Sequence, residues 1–241
     1  MKQYNPQNGS AIIYVFVGVI LFAILAITFS RGMRQTTGDV DSKTAKVGAT
    51  EIIEYAKAID RSVNRMLLNQ ISEADIGFTN STTTLSGTGA ALYTGNPNCA
   101  TATCQVFDPT GGKINPRPVS SSYVLDNATM GALNPMSGGI FPNVVIIDSL
   151  GTANPDLVLS FYGLKPAVCA AINDAFNIQN PSGLPPTEDA TAAGDMFTGD
   201  FISATTVGDG VADLAGKTDF CYKFSGSSPT LYVYQHVLII R

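Results

Sequence analysis

The chain has no tryptophan and only one histidine, His236, among its 241 residues. Without a second histidine, the common hydrolase triads and catalytic zinc sites lose their usual base. His236 lies in a strand-like stretch beside Tyr232 and Tyr234, the setting of a packing or surface residue. Charged side chains make up only 14% of the chain, against about a quarter in ordinary domains, while 45% is apolar. That balance excludes a charge-rich disordered chain. The net charge of −5 argues against a nucleic-acid binder. Neither a Gly-Lys-Ser/Thr phosphate loop nor a dinucleotide-binding glycine fingerprint is present. No catalytic chemistry is legible, and the expectation is a protein that is not an enzyme.

The charge that is present is segregated. Residues 1–70 carry eight basic and five acidic side chains, whereas residues 71–241 carry six and fourteen. The chain therefore reads as a mildly basic N-terminal part and an acidic C-terminal part.

From Ala11 to Phe29 the sequence reads AIIYVFVGVILFAILAITF, without a charge. A helix of this length is about 28 Å long, close to the hydrocarbon thickness of a bilayer. A core helix of a globular domain would show a polar face, and this run has none. The pattern predicts a transmembrane helix over residues 10–30. Lys and Arg near its ends favour a cytoplasmic C-terminal part. The cysteines and the Gly/Thr/Ser/Asn-rich loops favour an exported one, and we give them the greater weight.

No proline occurs between Pro6 and Pro97. Over residues 42–69, Val47, Ile52, Tyr55, Ile59, Val63 and Met66 fall at helical spacing. Glu51, Glu54, Lys57, Asp60, Arg61 and Arg65 lie between them as a solvated face. Residues 31–76 thus read as an amphipathic helical stalk, whose stripe either seams with another helix as a coiled coil or, as is commoner for a single stripe of this length, packs on a sheet in the same chain.

Residues 77–241 read as an exported, disulfide-bonded globular domain. Asn-Pro recurs at Asn96, Asn115, Asn134, Asn154 and Asn180 and marks turns. Residues 143–149 and 156–162 read as one β-hairpin, and residues 220–224 and 231–240 as a second strand pair. A helix is expected over residues 166–177, opened by Pro166. Residues 183–216 read as an irregular acidic loop. In that loop Asp209 and Asp213 offer oxygen ligands of the kind calcium takes, with a solvated loop as the alternative. No other cofactor is expected.

Cys99, Cys104, Cys169 and Cys221 allow three pairings. The favoured one joins Cys99 to Cys104 within a turn-rich segment and Cys169, on the helix, to Cys221, on a strand. Disulfides imply an oxidising compartment. No Cys-x-x-Cys pair supports a zinc site.

The first 70 residues resemble a type IV pilin or pseudopilin: a short segment ending in Gly9, an apolar run from Ala11, then an amphipathic stripe to Met66, with late cysteines. The resemblance implies a leader over residues 1–9, cut by a prepilin peptidase so that the chain begins at Ser10. It also implies an α+β fold in which a long N-terminal helix, with a membrane half and an amphipathic half, packs on a small antiparallel sheet. The function implied is that of a structural subunit of a pilus-like filament or secretion pseudopilus. Its partners are other pilin-like subunits through the Ala11–Phe29 helix, the inner-membrane assembly machinery and membrane lipid. The location is the inner membrane with a periplasmic domain, or an extracellular filament after assembly. Three positions depart from the family pattern: Asn8 where Lys or Arg precedes the Gly, Ser10 where Phe or Met begins the mature chain, and Tyr14 where a Glu normally sits. They point to a minor or atypical subunit. The alternative is a single-pass anchored adhesion or binding domain that does not polymerise.

Overall fold

A computed structural model describes residues 10–79, 93, 95–130, 138–189, 195–226 and 228–241. The first element is helix α1, Ser10–Leu68, with side chains described at positions 15–23 and 41–68. The chain divides into two compact units, Met1–Lys43 and Thr44–Arg241, and the break falls inside α1.

In the second unit the buried face of α1 is Ala45, Ala49, Ile52, Tyr55, Ala56, Ile59, Val63 and Met66. These positions recur every three or four residues, so the helix presents one continuous apolar stripe. Val47 lies off the stripe and is exposed, whereas it had been expected on it. The small residues in the stripe have a purpose that spacing alone did not reveal. A Cβ on Gly48 would stand 2.6 Å from Cδ1 of Tyr123, so the missing side chain lets that ring lie directly against the helix backbone.

The helix ends without a glycine or a proline. The Gln70 amide donates to the Leu67 carbonyl and the Ile71 amide to the Met66 carbonyl, with Gln70 at φ 67°. This is the Schellman arrangement, which satisfies carbonyls left over by the last turn. A non-glycine residue in that left-handed conformation costs about 1–2 kcal/mol.

The remaining elements are a short helix α2 (Asn127–Met130), strands β1 (Ile140–Ile147) and β2 (Asp156–Tyr162), and helix α3 (Pro166–Ala175). Then come three two-residue strands, β3 (Thr187–Glu188), β4 (Asp195–Met196) and β5 (Thr206–Val207), and finally β6 (Asp219–Phe224) and β7 (Leu231–Ile239). They form one seven-stranded sheet in the order β3-β6-β7-β2-β1-β4, with β5 alongside β1. β1–β2, β2–β7 and β6–β7 are antiparallel, whereas β3–β6 and β1–β5 are parallel. All seven residues of β2 and all nine of β7 are buried. The two central strands are therefore covered on both faces, which is why they read as apolar runs rather than alternating ones.

Pairing places Ile140, Phe161, Tyr234 and Cys221 on one face. Phe161 lines a small pocket together with Ile52 and Tyr55, so this is the face that the Thr44–Leu68 part of α1 covers. α3 lies on the same face, tied to β6 through Cys169–Cys221 and through Asn173, whose side chain bonds both backbone groups of Cys221. On the opposite face a row of Phe141, Ser160, Gln235 and Phe220 crosses the central strands. There Gln235 Nε2 donates to Ser160 Oγ at 3.3 Å, and the Tyr162 hydroxyl donates to Asn143 Oδ1 at 3.2 Å. Fully buried polar side chains stay in such a core because they pair with one another.

Two expectations about the fold are corrected. The sheet is neither small nor purely antiparallel. Residues 183–216, read as an irregular loop, contribute three short strands, two of them in parallel pairs. Two-residue strands carry no periodicity, so sequence alone does not reveal them. The second correction concerns the membrane half of the N-terminal helix. Among the described residues no helix is long and apolar enough to cross a membrane.

Candidate functional site

The feature of α1 that stands apart is its exposed apolar surface in the first unit. Val15, Phe16, Val17, Val19, Ile20, Leu21 and Phe22 are all exposed, from 49% at Val17 to 76% at Phe22. At about 100° per residue these seven side chains point to every side of the helix rather than along one stripe. A single flat partner covers one stripe, whereas burying the whole girth takes several neighbours. Full burial of Val, Leu, Ile or Phe contributes about 1.5–3 kcal/mol each, so covering what is exposed here contributes roughly 10 kcal/mol before ordering costs. Of the processing residues, Gly9 lies outside the described residues, and Ser10 is the first residue of α1.

All four cysteines are in disulfides. Cys99 joins Cys104 with Cα atoms 5.6 Å apart, and Cys169 joins Cys221 at 5.4 Å, the pairs read from their placement. These separations sit at the usual disulfide distance. Two disulfides place the protein in an oxidising, extracytoplasmic compartment. Two of the Asn-Pro turns help to fasten these segments. Asn96 donates to the Ala74 and Ile76 carbonyls, and Asn180 to the Ala170 carbonyl and the Asp174 carboxylate. Asn134 lies outside the described residues.

His236 is buried, on the face covered by α1. Its Nδ1 is 2.7 Å from Asp219 Oδ1, which also accepts the Tyr234 hydroxyl at 2.7 Å. Thr218 donates to the other carboxylate oxygen. Burial alone would raise the Asp219 carboxyl. The hydrogen bond and charge of His236, with the two hydroxyl donors, outweigh it and hold the group below the ordinary carboxylate range. Tyr234 is pushed well above 10 by burial and by the Asp219 charge. Asp60 of α1 is raised, first by burial, with attraction to His236 opposing. Among the described residues His236 Nε2 meets no hydrogen-bond partner. The arrangement is an internal hydrogen-bonded network that ties β6 to β7.

Of the two carboxylates expected as calcium ligands, Asp209 groups with Glu188 and Asp189, their oxygens within 4.8 Å of one another, and Asp213 is not among them. Glu188, which sequence reasoning passed over, is the buried member. Its two oxygens accept the amides of Asp189 and Gly208 and so hold the ends of the acidic segment together. Its signal was faint: one acidic residue in a two-residue strand after Pro185-Pro186.

A basic groove was missed as well. Lys57 and Arg61 of α1, with Lys113 and Arg117 of the adjoining segment, line a surface groove of about 680 Å³ that holds one carboxylate, Glu54. The Lys113–Arg117 segment is held there by hydrogen bonds. The Tyr55 hydroxyl donates to the Asn115 carbonyl, and the Arg117 amide donates to that same hydroxyl. Ser62 and Arg65 bond the Gly112 carbonyl.

Comparison of the chain with protein-family models, with curated proteins and with solved structures finds no match.

Proposed function

We propose that the chain is a structural subunit, not an enzyme, that assembles outside the cytoplasm with like subunits through the 15–22 segment of α1, as in a type IV pilus-like filament or secretion pseudopilus. One observation carries the reading: seven large apolar side chains exposed around the full girth of a helix. Apolar surface of this kind marks an interaction site, and a core of several packed helices covers all its sides. The disulfides and the acidic Thr44–Arg241 unit fit a head that faces an extracytoplasmic medium. In this reading a prepilin peptidase cuts between Gly9 and Ser10, and an inner-membrane machinery drives assembly.

The test uses the absence of free thiols. Phe16→Cys and Leu21→Cys in one chain place two thiols on opposite sides of the helix. Oxidation of the assembled protein is expected to give a ladder of covalent multimers, and Ile20→Glu is expected to abolish it. Chains that stay monomeric and uncrosslinked at every concentration would overturn the proposal. N-terminal sequencing of protein from its native host checks the processing step, and any start other than Ser10 refutes it.

A further inference from the structure

We infer that the basic groove receives the Asp189–Asp209 carboxylates of a second copy, so that neighbouring heads meet head to tail; the inference rests on the filament reading. The chain is acidic overall, yet four cations converge on this groove. Arg117 is paired with Glu51 at 3.3 Å and stacks on Tyr55, and Lys57 lies 5.2 Å from the centre of the Phe176 ring. Lys57, Arg61 and Lys113 have no ion-pair partner among the described residues. Glu54 is the one carboxylate in the groove's lining, so the four cations leave it a net positive charge and focus a positive potential outward.

The opposite imbalance sits elsewhere in the same unit. Residues 166–216 contain no Lys or Arg and seven carboxylates. Asp189 and Asp209 are exposed, their oxygens within 4.8 Å of each other and of Glu188. Like charges this close repel, and neither aspartate has an ion pair among the described residues. The arginine fork and two lysines of the groove match paired carboxylates. The two surfaces share no residue, so the contact between copies is heterologous, and a heterologous contact that does not close propagates as a helical filament. The apolar helix segment has no charge with which to set the relation between neighbours; paired charges on the heads do.

The experiment measures assembly of the full-length chain by light scattering at about 100 mM salt. Arg61→Glu and Asp209→Lys are each expected to raise the concentration for half-maximal assembly about ten-fold, and Lys113→Glu to repeat the effect of Arg61→Glu. Carrying Arg61→Glu and Asp209→Lys together restores opposite charges between copies, and assembly is expected to return to within about three-fold of the starting protein. If the starting protein assembles and the single variants match it, the groove proposal falls while the filament reading stands. If the single variants fail and the combined one stays impaired, the groove serves a different anion and the proposal is overturned. If the starting protein never assembles, the filament reading fails and takes this inference with it.

Discussion

The two disulfides close loops of very different length, which makes their stabilities separable. Cys99–Cys104 spans 5 residues and Cys169–Cys221 spans 52. In the chain-entropy treatment the first removes about 2 kcal/mol of freedom from the unfolded state and the second about 4 kcal/mol. The Cα separations of 5.6 and 5.4 Å are nearly equal, so the native geometry does not favour either pair. The longer bridge also sits in the core. Cys169 and Cys221 are both fully buried, so replacing each by Ala leaves a small void and widens the gap further. Cys169→Ala with Cys221→Ala should therefore cost at least about 4 kcal/mol, and Cys99→Ala with Cys104→Ala about 2 kcal/mol. Urea unfolding followed by circular dichroism measures both. The longer-loop variant should also show a larger m-value, because its unfolded state is freed to expand. Equal losses, or a greater loss from the short loop, would refute the reasoning and show that residual unfolded-state structure, rather than loop length, sets the effect.

The buried tyrosines predict a steep alkaline limit. Burial raises Tyr93 to about 12 and pushes Tyr162, Tyr222 and Tyr234 well above the ordinary phenol range. Above pH of about 10 the unfolded chain loses phenolic protons that the folded chain keeps, so stability is complete below that pH and falls as pH rises, by up to about 1.4 kcal/mol per unit for each group. Absorbance at about 295 nm should rise cooperatively with loss of secondary structure; smooth, independent titration of these phenols in a folded protein would contradict it. Gly48→Ala should destabilise by about 1–3 kcal/mol through collision with Tyr123, and Tyr123→Ala in the same chain should relieve most of the added cost in a double-mutant cycle.

What was legible in the sequence followed from local pattern. The α1 stripe from Ile52 to Met66, the β1–β2 hairpin, α3 opened by Pro166 and the β6–β7 pair all carry their period or their turn residues within a few positions. The Cys169–Cys221 pair was legible because each cysteine lay on an element that was itself legible, and the Cys99–Cys104 pair because the two lie five positions apart in a turn-rich segment. The two-residue strands β3, β4 and β5 were not, since their partners, β6 for β3 and β1 for β4 and β5, lie far along the chain.

By itself the sequence determined the uncharged run, the charge asymmetry and the number of cysteines, because these are sums over residues that no folding changes. Only the tertiary structure decided that His236 is a buried hydrogen-bond partner of Asp219, brought together from 17 residues apart. It also gathered Lys57, Arg61, Lys113 and Arg117 into one groove and set Asp209 beside Glu188 rather than Asp213. Electrostatic neighbours are chosen by distance in space, and the chain encodes that distance only through the packing of the whole sheet against its helices.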